Sequence, residues 1–258
     1  MSKKYTMDKL SKLQTDYLKI FGSIKPILDD MGNHWKDLYP EYLGWFDLGS
    51  PIFEHPDILF VGINPGPGRF RLWNYNKPKN AYTIPVDFPT PWRSELQWTK
   101  IGVAKEGQWH DETSKQKNLF PKTMCELLVR VYRPDYPNLT REEMTSIFND
   151  CIMCTNLFPM VTKDKKRLDM LINRYSSHNH KDITMLCRSN IMRLIDLVSP
   201  KTVVLLGKTL EPNLKPSLLR KGIHYTIVDR TRGWHSKERI TEKAKEIREL
   251  LDHAKIAE

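Results

Sequence analysis

Residues 57–69 read DILFVGINPGPGR, an apolar run that stops at a glycine, an asparagine and two prolines separated by glycine. The run DILFVG (57–62) is short and apolar at successive positions, so it predicts a strand buried on both faces, as in a parallel sheet. Pro65 and Pro67 fix the backbone angle φ, while Gly66 and Gly68 permit a tight turn and the close approach of a ligand. Asn64 is thereby held at the tip with little freedom. A neutral amide cannot take a proton, but it can orient a water or bond a substrate. Taken alone, the segment is also an ordinary strand-to-loop turn.

Working outward, three more strands are expected: CIMCTNLF (151–158), KTVVLLG (201–207) and HYTIVD (224–229). Near-helical apolar spacing predicts one helix over 8–30, and proline followed by an apolar pattern predicts another over 121–133. A short helix over 141–149, a long amphipathic one over 180–198 and a charged one after the loop RTRGWHS (230–236) complete the pattern. Strands alternating with helices imply an α/β fold, a three-layer α/β/α sandwich around a mostly parallel four-stranded sheet. The expected organisation is a single domain over 1–258, with an N-terminal helical segment at 1–50 and an unusual loop-rich segment at 68–120. Ligands of such sheets sit beyond the carboxyl ends of the strands. That rule assigns three turns to one rim: GINPGP (62–67), TNLFP (155–159) and RGWHS (232–236).

Lysine and arginine total 41 against 31 acidic residues, a net charge of +10. A basic surface of this size suits a polyanion, of which nucleic acid is the common case. No run of eighteen apolar residues is present and the start, MSKKYTMDKLSKLQ, lacks a signal-peptide core, so an intracellular, cytoplasmic protein without a membrane partner is expected. Its four cysteines should then be thiols. Cys151 and Cys154 form a C-x-x-C without a second close pair, and a buried strand accounts for them better than a metal site.

Asn156, at the end of the second strand, offers a donor and an acceptor side by side, which match the ring N–H and neighbouring carbonyl of a pyrimidine; its plainer role is to turn the backbone. His235 follows Gly233 and Trp234 at the start of the last helix, where Ser236 can serve as cap. A histidine there can donate to a developing anion, or be simply a surface residue.

Together, the three turns resemble the uracil-DNA glycosylase superfamily, most closely its single-strand-selective monofunctional branch. That branch carries G-M-N-P-G-P where this chain has Gly62-Ile63-Asn64-Pro65-Gly66-Pro67. Its pyrimidine-reading H-N-x-C-P-like segment is similar to Thr155-Asn156-Leu157-Phe158-Pro159, and its H-P-S motif to His235-Ser236, which lacks the proline. The resemblance runs from residue 55 to about 245 and implies an N-glycosylase without cofactor or metal. In it, Asn64 holds the attacking water and His235 donates to the base O2. Asn156 grips the polar edge of the base, with Gly62, Ile63, Pro65 and Gly66 walling the pocket. An aromatic residue stacks on the flipped base; Phe70 is the first candidate, with Trp73, Tyr75, Tyr82 and Phe88 as alternatives. Lys208, Arg232, Ser236, Lys237, Arg239 and the run KDKKR (163–167) are candidates for holding DNA, single- or double-stranded, and Arg239 for a wedge behind the flipped nucleotide. Uracil is the default substrate. The long 68–120 segment also admits bulky hypermodified pyrimidines in foreign DNA, a defence role. The missing proline admits a catalytically silent DNA-binding relative. Either way, a monomer is expected.

Overall fold

The computed structural model describes residues 7–34, 38–39, 42, 52–64, 119–134, 143, 147, 150–162, 164–180, 182–230 and 234–256. Four strands, β1 (Ile58–Gly62), β2 (Ile152–Asn156), β3 (Thr202–Leu205) and β4 (Tyr225–Ile227), form an all-parallel sheet in the order β2-β1-β3-β4. Seven helices are described: α1 (Met7–Phe21), α2 (Lys25–His34), α3 (Leu119–Tyr132), α4 (Lys165–Asn179), α5 (Ile183–Val198), α6 (Glu211–Arg220) and α7 (Lys237–Ile256).

Side chains alternate across the sheet and feed two cores. Leu59, Val61, Met153, Val203 and Leu205 pack with α1, α2, α4, α5 and α6 on one face. Ile58, Phe60, Ile152 and Val204 pack with α3 and α7 on the other. The result is a three-layer α/β/α arrangement, and burial on both faces explains why β1 and β3 read as unbroken apolar runs. The chain moves from β1 outward to β2, then crosses back past β1 to β3. The connection holding α3 covers one face and those holding α4, α5 and α6 cover the other, so the winding reverses between β1 and β3. This switch point is where open α/β sheets leave a crevice at their carboxyl ends.

The helix expected over 8–30 is two helices. Pro26 has no N–H and would break a continuous helix, so the chain turns at Gly22-Ser23-Ile24 and buries Ile24. Helices α4 and α6 were not foreseen. Asp164 caps α4 by accepting from the Arg167 backbone N–H at 2.9 Å, and Leu168, Leu171 and Tyr175 form its buried stripe. The KDKKR run hid this cap among charges. Pro212 and Pro216 disguised α6, although Pro212 stands at its start, where the missing donor costs least. The helix expected over 141–149 lies outside the described residues apart from 143 and 147.

CIMCTNLF does contain the second strand, with Cys154 inside it. Among the described residues, Cys151, Cys154 and Cys187 are free thiols, and no three His, Cys, Asp or Glu side chains cluster as a metal site would require. Burial first, then the Asp57 and Asp150 carboxylates, push the Cys151 thiol up to about 11. No described helix is long and apolar enough to cross a membrane.

Candidate nucleobase site

Gly62 and Asn156 are direct neighbours across β1 and β2. A Cβ on Gly62 would stand 2.4 Å from Asn156 Oδ1, so a larger residue there would displace the amide. Alternation along β2 puts the Asn156 side chain with Ile152 and Cys154, on the face of the sheet covered by α3 and α7. The ladder continues past both strands: Leu157 N–H donates to Gly62 O at 2.8 Å and Phe158 N–H to Ile63 O at 2.9 Å. The first two turns are thereby locked in register, with Ile63 half-buried against the core.

Asn64 is tied to the chain that follows β2. Its Nδ2 donates to Thr162 Oγ1 at 3.0 Å and to Met160 O at 3.3 Å. The Thr162 hydroxyl in turn donates to Asp164 O at 2.9 Å. This relay, anchored at the N-terminus of α4, fixes the amide plane.

His235 stands immediately ahead of Ser236 and α7, where α7 packs against α3. The ring is exposed, yet its Nδ1 lies 2.7 Å from the hydroxyl of buried Thr123 in α3. Trp234, 8% exposed, packs beside it with ring centroids 4.3 Å apart, and the Arg230 guanidinium lies 6.0 Å from the Trp234 ring centre. Ser236 Oγ accepts from the Arg239 backbone N–H at 3.3 Å, the capping role its position implied. The Glu238 carboxyl is held below its ordinary value, first by its own backbone N–H and then by the Ser236 hydroxyl. Sequence reasoning missed Thr123. Nothing around PKTM marks one helical threonine as the partner of a histidine 112 positions away.

The cationic candidates differ from one another. Lys208 follows Gly207, whose φ of 130° suits only glycine, and pairs with Asp229 at 2.7 Å across the ends of β3 and β4. Lys237 and Arg239 are exposed on the first turn of α7. In the KDKKR run, Arg167 pairs with Asp164 at 2.8 Å and Lys165 with Asp169 at 2.6 Å. Pro65, Gly66, Phe70, Trp73, Tyr75, Tyr82, Phe88 and Arg232 lie outside the described residues, as does nearly all of 68–120.

Two cavities lie near these groups; neither has Asn64 or His235 among its described lining residues, and Asn156 borders only the smaller. One of about 520 Å³ is lined by Thr123, Trp234, Arg239, Lys208, Lys243 and Val228, among others. The other, about 30 Å³ and bordered by Asn156, Thr155, Tyr17 and Asn190, has room for a single water. The larger size falls in the range of small-molecule sites. The smaller opens between β2, α1 and α5, on the face of the sheet opposite α3 and α7. The sequence matches no protein-family model, and no curated protein matches it significantly.

Proposed function

We propose that this protein is a monofunctional DNA glycosylase that hydrolyses the N-glycosidic bond of uracil or a related modified pyrimidine and leaves an abasic site. The observation that carries the reading is positional. Asn64 follows β1, Asn156 closes β2 and His235 lies between β4 and α7, so all three residues of the resembling motifs stand at the carboxyl end of the sheet. Asn156 and the His235–Thr123 pair share one face of the sheet.

Breaking a base–deoxyribose bond develops positive charge on the sugar and negative charge on the base, so catalysis consists of stabilising that separation. His235 Nε2 points away from Thr123 and donates to the base O2 as charge accumulates there. The N-terminal ends of α3 and α7 meet at this pair, and their partial positive charge favours the same anion. Asn64 Oδ1 orients the water that attacks the anomeric carbon. Asn156 bonds the ring N–H and carbonyl of the extruded pyrimidine. Exposed Lys237 and Arg239 hold flanking phosphates, and the +10 net charge favours the encounter with DNA.

The test is a panel of single- and double-stranded oligonucleotides carrying uracil, small modified pyrimidines and pyrimidines with bulky substituents. Free base is read by mass spectrometry and abasic sites by hot alkali. Release of one pyrimidine with the strand intact before alkali supports the reading, and which substrate is released separates repair from defence. Tight binding without base release at high enzyme would leave a silent DNA-binding relative.

A further inference from the structure

We propose that Thr123 is a positioning residue that fixes the tautomer of His235, holding its proton on Nε2. The inference rests on the glycosylase reading: the 2.7 Å contact pairs the hydroxyl with Nδ1, and that reading assigns the proton between them. The hydroxyl of Thr123 carries one proton. Given to Nδ1 across the 2.7 Å contact, it makes Nδ1 an acceptor and leaves Nε2–H as the donor on the exposed side of the ring. Given instead to a carbonyl one helical turn earlier, as helical threonines often do, it would reverse the roles and leave Nε2 a base. The first arrangement suits a ring that must stabilise an oxyanion; the second suits one that must deprotonate water.

Three features make the contact a built one. Thr123 is 4% exposed, so a water cannot readily replace its hydroxyl beside Nδ1. The α3–α7 packing that brings the two residues together is the most extensive helix–helix contact described. Trp234, buried next to His235 in the same core, holds the backbone from which the imidazole projects. Valine removes the hydroxyl and keeps the branched shape, and serine keeps the hydroxyl and removes the methyl, so the two variants test the groups separately.

The experiment is two-bond ¹⁵N–¹H correlation spectroscopy of histidine-labelled protein, with His235 assigned by loss of its signal in His235→Gln. The wild-type ring should show the Nε2–H tautomer. Thr123→Val, nearly the same shape, should convert it to an averaged mixture and slow base release about tenfold or more. Thr123→Ser should keep both the tautomer and most of the rate. An Nδ1–H tautomer in the wild type, or an unchanged spectrum in Thr123→Val, overturns the proposal. Should Thr123→Val fail to fold, the wild-type tautomer and the serine variant still decide. A correct tautomer pattern in a protein that releases no base would sink the glycosylase reading and spare this one.

Discussion

At Gly62 a single added methyl would stand 2.4 Å from Asn156 Oδ1, so the two positions act through one side chain. Gly62→Ala should displace the amide and slow base release as Asn156→Ala does, at a stability cost under about 1 kcal/mol, because Oδ1 is the end of a side chain that can swing aside. The double variant should be no slower than the worse single one, a non-additivity read by single-turnover kinetics. Asn64→Ala and His235→Ala should each lower the rate about a hundredfold or more while DNA affinity, measured by anisotropy, stays nearly unchanged. Asn64, Asn156 and His235 were all legible as candidates, because stiff or capping neighbours surround them in the sequence. Their partners Thr162 and Thr123 were not, since a hydroxyl gains its meaning from what lies across from it.

At the scale of the element, the relay from Asn64 through Thr162 to Asp164 joins the first turn to the N-terminus of α4. Thr162→Val would remove the stronger acceptor of the Asn64 amide inside the protein. Melting should show a loss of about 1–3 kcal/mol, with a fall in rate that Asp164→Ala does not share. Asp164→Ala removes the cap and the exposed pair with Arg167 but keeps the backbone carbonyl that Thr162 meets, and should cost about 1 kcal/mol. At the opposite end of the sheet, burial and the Asp57 carboxylate raise the Cys151 thiol to about 11. The native state therefore keeps this proton longer than the unfolded chain does. The stability this gives is full below the unfolded value and is lost as pH rises through the window up to about 11. Native Cys151 should accordingly alkylate far more slowly at pH 8 than the same thiol in denaturant, as mass spectrometry of the labelled peptide would show. The strands were readable because each is a short apolar run ended by a turn. The break between α1 and α2 and the existence of α4 and α6 escaped because prolines and charges obscured the helical period.

Over the whole molecule, the proposed function together with the +10 charge predicts that affinity for DNA falls steeply with salt. Lys237→Ala and Arg239→Ala should each reduce the salt slope by about one. Lys208→Ala should change it less, because Lys208 already pairs with Asp229 at 2.7 Å. A slope unchanged in all three variants would move the DNA path elsewhere on the surface. The amino-acid sequence by itself determined the α/β class, the four strands and the rim on which the asparagines and the histidine stand, because burial and turn stiffness are local and leave local patterns. Only the tertiary structure decided that the strand order reverses beside β1, that Gly62 makes way for Asn156, and that Thr123 faces His235. Those relations depend on which segments pack together, and packing joins residues that no spacing along the chain relates.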